Sequence, residues 1–219
     1  MEDLNLWEKP QLVYVLDPMC SWCYGFAPVL KRVLEEYKDK VEVKFVMGGL
    51  RPGTTAVMDD EAKTTMQQHW QDVETVTGQP FDYSFFDREA FVYDTAPASR
   101  AVVTMRYVQP EAELAMAEEL QQAFYAKNQD ITSPAVLATI ASAVFGIEEE
   151  AFLEKYNSEE MEEKTKQDFL IARHLQATAF PSLYLLNADK VYLLFRGYRM
   201  YEAVKARIEE AIYMLNHPQ

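Results

Sequence analysis

The chain predicts an α/β fold in which a βαβ unit and a ββα unit are separated by an all-helical insertion. Three observations predict it. A strand, a helix and a second strand fit within the first fifty residues. No strand pattern interrupts the stretch 50–176. Strand character then returns as a hairpin and ends in one more helix.

Each element has a local reason. Leu12-Val13-Tyr14-Val15-Leu16 is a short continuous apolar run, the pattern of a strand buried on both faces. Phe26, Val29, Leu30, Val33, Leu34 and Tyr37 then form one apolar stripe at helical spacing, with Lys31, Arg32, Glu35, Glu36 and Lys38 opposite. Pro28 sits inside this pattern and predicts a kink or an irregular early turn, or else a helix that begins only after it. Val41 to Met47 alternates apolar and charged residues before an apolar end, and Gly48-Gly49 stops it. Strand, helix, strand at this spacing predicts two parallel neighbours.

The insertion reads as five helical segments. Ala62, Met66, Trp70, Val73 and Thr77 mark a helix over 59–77 that stops at Gly78. Ala96 to Val108 follows, with Pro97 where a first helical turn accepts it. Glu111 to Lys127 reads as a third segment, and Ser133-Pro134 opens a fourth that ends at Gly146. Asn157 is the expected cap of the last, which runs to Ala172 with Glu160 in the capping-box position. The aromatic stretch Phe81, Tyr83, Phe85, Phe86 and Phe91 fits either the lining of a cleft or the core of the insertion. Beyond it, Pro181 to Leu186, the polar turn Asn187-Ala188-Asp189-Lys190 and Val191 to Phe195 make the hairpin. Tyr201, Val204, Ile208, Ala211, Ile212 and Leu215 make the last amphipathic helix. The expected domains are 11–49 with 177–217, and the insertion 50–176.

Composition narrows the function classes. The 219 residues carry 21 basic and 35 acidic side chains, a formal net charge of −14. Nucleic acid and anionic membrane surfaces repel such a chain. The run Ala135 to Ile147 is too short and too polar to cross a bilayer. Met1 to Pro10 has no basic start followed by an apolar run, so no signal peptide is expected and the protein reads as cytoplasmic.

The only two cysteines are Cys20 and Cys23, in Cys20-Ser21-Trp22-Cys23 between the first strand and the first helix. Two intervening residues bring both sulfurs onto one helical turn, close enough to close a small disulfide ring. A cysteine at a helix N-terminus meets unpaired backbone N–H groups and the positive end of the dipole, which favour its thiolate. The expected chemistry is thiol–disulfide exchange: Cys20 attacks a partner's disulfide, and Cys23, deeper in the helix, resolves the mixed disulfide. A zinc site would need four ligands, and His69 and His174 have no useful spacing to the pair. No metal is expected.

Asp17-Pro18-Met19-Cys20-Ser21-Trp22-Cys23-Tyr24 resembles the active-site segment of the DsbA-like thiol–disulfide oxidoreductases, in particular the cytoplasmic FrnE-like branch. Phe180-Pro181-Ser182 resembles that family's cis-proline segment. Asp94-Thr95-Ala96-Pro97-Ala98-Ser99-Arg100 is a weaker likeness, similar to an Asn-Thr-containing segment of the glutathione-using chromene-carboxylate isomerases. The resemblance implies a thioredoxin fold carrying a helical insertion. It also implies a cis bond before Pro181 rather than the trans bond ordinary at a strand start, with the Phe180-Pro181 backbone holding an extended substrate beside the dithiol. Phe180 is larger than the residue common there, and either narrows the groove or adds an apolar contact. Ser21 and Trp22 join the expected substrate contacts; Trp22 serves docking or packs against the insertion. Asp17 has two readings: a buried carboxylate that relays the proton of Cys23, or a cap for backbone N–H groups.

The activity implied is a disulfide oxidoreductase or isomerase acting on protein or small-thiol disulfides, with no tightly bound cofactor and with glutathione or a thioredoxin-type system to recycle it. Two rivals stand beside it. One is a glutathione-dependent isomerase of the chromene-carboxylate type, against which Cys23 argues, because those relatives usually have serine at the nucleophile position and lack the second cysteine. The other is a binding module or chaperone on the same fold.

Overall fold

The computed structural model describes residues 9–187 and 190–217. Met1 to Glu8, where no signal peptide is expected, and Ala188-Asp189 of the hairpin turn lie outside the described residues. Four strands form one sheet in the order β2-β1-β3-β4. They are β1 (Gln11–Leu16), β2 (Glu42–Met47), β3 (Ser182–Asn187) and β4 (Lys190–Arg196). β1 runs parallel to β2 and antiparallel to β3, and β3 pairs antiparallel with β4. The βαβ and ββα units therefore meet along β1 and β3, which pair Leu12 with Leu185 and Val15 with Ser182.

The continuous apolar run of β1 is explained by cover on both faces. Leu12, Tyr14 and Leu16 join the main core with Phe26, Leu30 and Val33 of α1 (Ser21–Tyr37) and Val204 and Ile208 of α8 (Tyr201–Asn216). Val13 and Val15 face the other way, onto Ala172 of α7 (Glu159–His174). The last helix of the insertion thus supplies the second face of the sheet.

α1 runs through Pro28, which is exposed. A proline there withholds the N–H that would bond the carbonyl of Tyr24. The Gln79 side-chain amide donates to that carbonyl instead, at 3.4 Å.

The insertion continues with α2 (Asp60–Thr77), α3 (Ala96–Val108), α4 (Glu113–Gln121), α5 (Pro134–Phe145) and α6 (Glu149–Tyr156). Three expectations need correction. The segment 111–127 is not one helix: a 3-10 turn at Pro110–Ala112 leads into α4, which passes into a π-helical turn at Gln122–Ala126. The short α6 carries only Phe152 and Tyr156 as buried anchors, too few for a period to be read from sequence. Because α6 takes Asn157 as its C-terminal cap, Ser158 caps α7, its hydroxyl accepting from the Met161 N–H at 3.3 Å. The position three residues on is then Met161, and Glu160 pairs with Lys155 at 2.7 Å rather than closing a capping box.

The aromatic stretch is core. Phe85 and Phe91 are buried, and Phe81, Tyr83, Phe85, Phe86 and Phe124 surround Trp70 with ring centroids 4.8–6.2 Å away. A second anchor ties the insertion to the sheet edge. Asp168 of α7 accepts the Met47 N–H at 2.9 Å, and Arg106 of α3 donates to the Phe45 carbonyl at 3.0 Å. Unpaired groups of the edge strand β2 are thereby satisfied by side chains.

Candidate active site

The site starts from the turn joining β1 to α1. Asp17-Pro18-Met19-Cys20 closes with the Cys20 N–H donating to the Asp17 carbonyl at 3.0 Å, with proline at the position whose φ it presets. Asp17 Oδ1 accepts the Met19 N–H at 2.8 Å, the local bond that makes Asp favourable in such turns. Cys20 has extended dihedrals and is the N-terminal cap of α1, its carbonyl accepting from Cys23 and Tyr24. Its sulfur therefore stands at the free end of the helix, while Cys23 lies one turn in. Both thiols are free; Cys20 is 7% exposed and Cys23 1%.

Phe180 and Pro181 come from the other half of the fold. The bond between them is cis. The Cys20 thiol donates to the Phe180 carbonyl at 3.6 Å. Pro181 is buried and its carbonyl accepts the Gly197 N–H at 2.8 Å, which joins the segment to the end of β4. Gly48 lies under the Phe180 ring, and a Cβ there would run into that ring.

Asp17 is fully buried and holds two loops at once. Its second oxygen accepts the Leu50 N–H at 2.7 Å, so one carboxylate ties the active-site turn to the loop after β2. Burial pushes its carboxyl up to about 6, against the pull of the Leu50 and Met19 N–H groups and the Thr95 hydroxyl. Burial also pushes the Cys23 thiol up, with Cys20 beside it and the negative charge of Asp17 adding to the effect. The bonds to Met19 and Leu50 agree with the capping reading of Asp17, and its raised carboxyl keeps proton exchange near neutral pH chemically accessible.

Around the pair is a groove of about 280 Å³. Cys20, Ser21, Trp22 and Phe180 line it, joined by Arg51 and Tyr93, which the sequence had not singled out. Trp22 also packs on Tyr198 of the returning half of the fold, with ring centroids 5.5 Å apart, and shares the groove with Met66 and Trp70 of the insertion. The Tyr93 hydroxyl is buried and donates to the Met19 carbonyl, one residue before the nucleophile position. Tyr125, from the π-helical turn, approaches that hydroxyl to 3.4 Å and stacks on Tyr24. Tyr14 of β1 is buried beside the sulfurs, and burial, with Cys23 and Cys20 next, pushes its phenol up. Tyr14, Tyr93 and Tyr125 come from three distant segments and share no motif; only Asp94-Thr95, near Tyr93, carried a signal, while Tyr24 belongs to the cysteine motif.

Among the described residues, no group of three or more His, Cys, Asp and Glu is placed to hold a metal, and no helix is long and apolar enough to cross a membrane. His69 lies on the groove wall, and His174 is exposed, its ring bonded to the Leu170 carbonyl of its own helix.

Comparison with known proteins agrees with this architecture. A family model described as thioredoxin matches residues 13–206. The solved structure of a proposed protein disulfide isomerase from Nitrosomonas europaea is 33% identical, with a TM-score of 0.88 over 96% of this chain and 100% of that one. The cytosolic disulfide reductase DsbM from Pseudomonas aeruginosa is 24% identical, with a TM-score of 0.74 over 93% of this chain and 99% of that one, and has also been solved with GSH. Among curated proteins, the ClpXP adapter protein SpxH of Shouchella clausii is 23% identical over 181 residues, and that of Halalkalibacterium halodurans 19% over 184. Each match covers 82% of this chain but only 59% and 60% of the adapters, so the chain spans about three fifths of the length of the curated relatives it matches. With a family model across most of its length and a solved relative over nearly all of it, the chain belongs to the thioredoxin family, in the DsbA-like form that carries a helical insertion.

Proposed function

We propose that this chain is a cytoplasmic thiol–disulfide oxidoreductase that works mainly as a reductase or isomerase on disulfides of proteins and small thiols. The observation that carries the reading is the meeting of Cys20, at the start of α1, with the Phe180 carbonyl 3.6 Å away, while Cys23 is buried one turn behind it. The likeness to a protein described as a cytosolic disulfide reductase, and solved with GSH, supports the compartment and a thiol partner such as glutathione.

The chemistry is two exchanges. The Cys20 thiolate attacks one sulfur of the substrate disulfide; a Cys20–substrate S–S bond forms, the substrate S–S bond breaks, and one substrate thiol leaves with a proton from solvent. Cys23 then loses its proton and attacks the Cys20 sulfur, which releases the second thiol and leaves a Cys20–Cys23 disulfide. Two electrons pass from protein to substrate. Two glutathione thiols, or one thioredoxin-type dithiol, restore the pair. In isomerisation, the released substrate thiol or another thiol of the same substrate attacks the mixed disulfide before Cys23 does. Asp17, near 6, is the acceptor for the Cys23 proton, acting directly or through water. Ser21, Trp22 and Phe180, which line the groove with Cys20, contact the substrate, and the cis bond to the buried Pro181 fixes the Phe180 carbonyl beside it.

The test is reduction of insulin disulfides and of glutathione mixed disulfides by the whole chain and by Cys20→Ser. The reading expects the activity to vanish in the variant, and full activity in Cys20→Ser would end it. A second reading, a non-enzymatic adapter, is favoured by the likeness to SpxH. It expects partner binding that is unchanged by Cys20→Ser and no disulfide reduction by the wild type.

A further inference from the structure

Arg51 sits on the groove wall, in a loop whose backbone is held by three side-chain acceptors. The Leu50 N–H donates to Asp17 at 2.7 Å, the Arg51 N–H to the Thr95 hydroxyl at 3.1 Å, and the Gly53 N–H to Asp94 at 2.8 Å. Asp17 and Thr95 are fully buried. The Thr95 N–H returns to the Arg51 carbonyl at 3.4 Å. The Asp94-Thr95 segment therefore anchors the main chain of Arg51. The guanidinium carbon is 5.6 Å from the centre of the Tyr93 ring, whose hydroxyl holds the Met19 carbonyl. One rigid unit thus sets both the turn before Cys20 and the base of the Arg51 side chain.

The Arg51 side chain is exposed and makes no ion pair or hydrogen bond among the described residues. It is the sole lysine or arginine among the described residues that line the groove. In a chain of net charge −14, which on the whole repels anions, this places a positive charge on the groove that Cys20 also lines. Arg51, Met66 and His69 also line a neighbouring bay of about 290 Å³, together with Asp59 and Glu61. Asp59 is engaged in capping α2, accepting the Ala62 N–H at 2.8 Å. Each volume is near the lower end of the range for small-molecule sites.

The geometry points to Arg51 as a specificity-determining residue that binds a carboxylate close to the disulfide under attack, so that the preferred substrates are small-thiol disulfides bearing such a carboxylate. This rests on the oxidoreductase reading and names its substrate class. A guanidinium donates two parallel N–H bonds to a carboxylate, and its planar fork lowers the entropy lost per bond formed. The same charge offsets the repulsion between a carboxylate substrate and the attacking thiolate.

The experiment is a single turnover of the reduced full chain with three small disulfides: dithiodipropionate, which is anionic at neutral pH, neutral hydroxyethyl disulfide, and cationic cystamine. In each, Cys20 bonds to one substrate sulfur, Cys23 displaces it, two thiols leave and the protein ends as the disulfide. Wild type should oxidise fastest with dithiodipropionate once each rate is divided by that disulfide's rate with a simple thiolate. Arg51→Gln should slow that reaction roughly tenfold, the size of one partly solvated charged contact. It should leave hydroxyethyl disulfide within about twofold, and Arg51→Lys should recover part of the loss. Added salt should erode the preference in wild type and not in Arg51→Gln. Equal slowing of all three disulfides in Arg51→Gln, or no change in any, overturns the assignment while leaving the oxidoreductase reading intact. Failure of every disulfide to oxidise the wild-type pair overturns both.

Discussion

The Cys20 sulfur and the Phe180 carbonyl oxygen stand 3.6 Å apart although 160 positions separate them in sequence. The two halves of the discontinuous fold meet at this contact, and Gly48 sits beneath it with the Phe180 ring where a side chain would be. Gly48→Ala should push that ring, and the carbonyl with it, away from Cys20. The expected cost is about 1–3 kcal/mol of stability, typical of overpacking, with a loss of disulfide reduction at temperatures where the variant is fully folded. Denaturant unfolding and insulin reduction on the same sample check this; a variant with wild-type stability and rate would show that the ring is free to move.

Asp17 gives a pH signature. Its carboxyl titrates near 6 when folded, against 3.8 for the ordinary group. Below pH 3.8 both states hold the proton and the difference costs nothing. Between about 4 and 6 the unfolded chain releases a proton that the folded chain keeps, so stability falls as pH rises and levels off above 6. The full change is roughly 3 kcal/mol. In Asp17→Asn this fall should disappear, although one of the two backbone bonds is lost. Unfolding curves from pH 4 to 7 check it, and an equal slope in the variant would remove Asp17 as its source.

Asp168 is the anchor of the insertion on the sheet edge. It is 4% exposed, takes both ends of the Arg106 guanidinium at 2.7 and 2.9 Å, and accepts the Met47 N–H. Asp168→Ala removes the acceptor of a buried N–H and one of two carboxylates facing Arg106, the other being Glu113 at 2.8 Å. A loss of about 3–5 kcal/mol is expected, measured by urea unfolding. A loss under about 1 kcal/mol would show that Glu113 and solvent suffice for Arg106.

Much of this architecture was legible because each half announces itself locally. The run Leu12 to Leu16 is apolar on both faces because α1 and α8 cover one side and α7 the other. The helix stops at Gly78 and Gly146 follow from left-handed caps that glycine adopts freely. Asn157 and Ser158 could not be told apart, since either caps a helix and the choice depended on α6, whose two buried residues set no period. In the site, the cysteines, Asp17 and the Phe180-Pro181 segment stood out as motifs. Arg51, Tyr93 and Tyr125 did not, because each belongs to a separate segment and gains its place only through long-range bonds to Thr95, Met19 and one another. Even the Asp94-Thr95 motif was visible without its purpose, which is to receive N–H groups from a loop more than forty residues away.

The central claim is that Cys20 makes the bond to substrate and Cys23 breaks it. The most direct measurement is to react Cys20→Ser and Cys23→Ser, each fully reduced, with glutathione disulfide and to weigh the products. Cys23→Ser should accumulate one glutathione adduct, on Cys20, that persists after the excess is removed. Cys20→Ser should stay unmodified over the same interval, because its remaining thiol is 1% exposed and burial holds its proton. Rapid modification of Cys23 in Cys20→Ser, or no adduct on Cys20 in Cys23→Ser, would contradict the account.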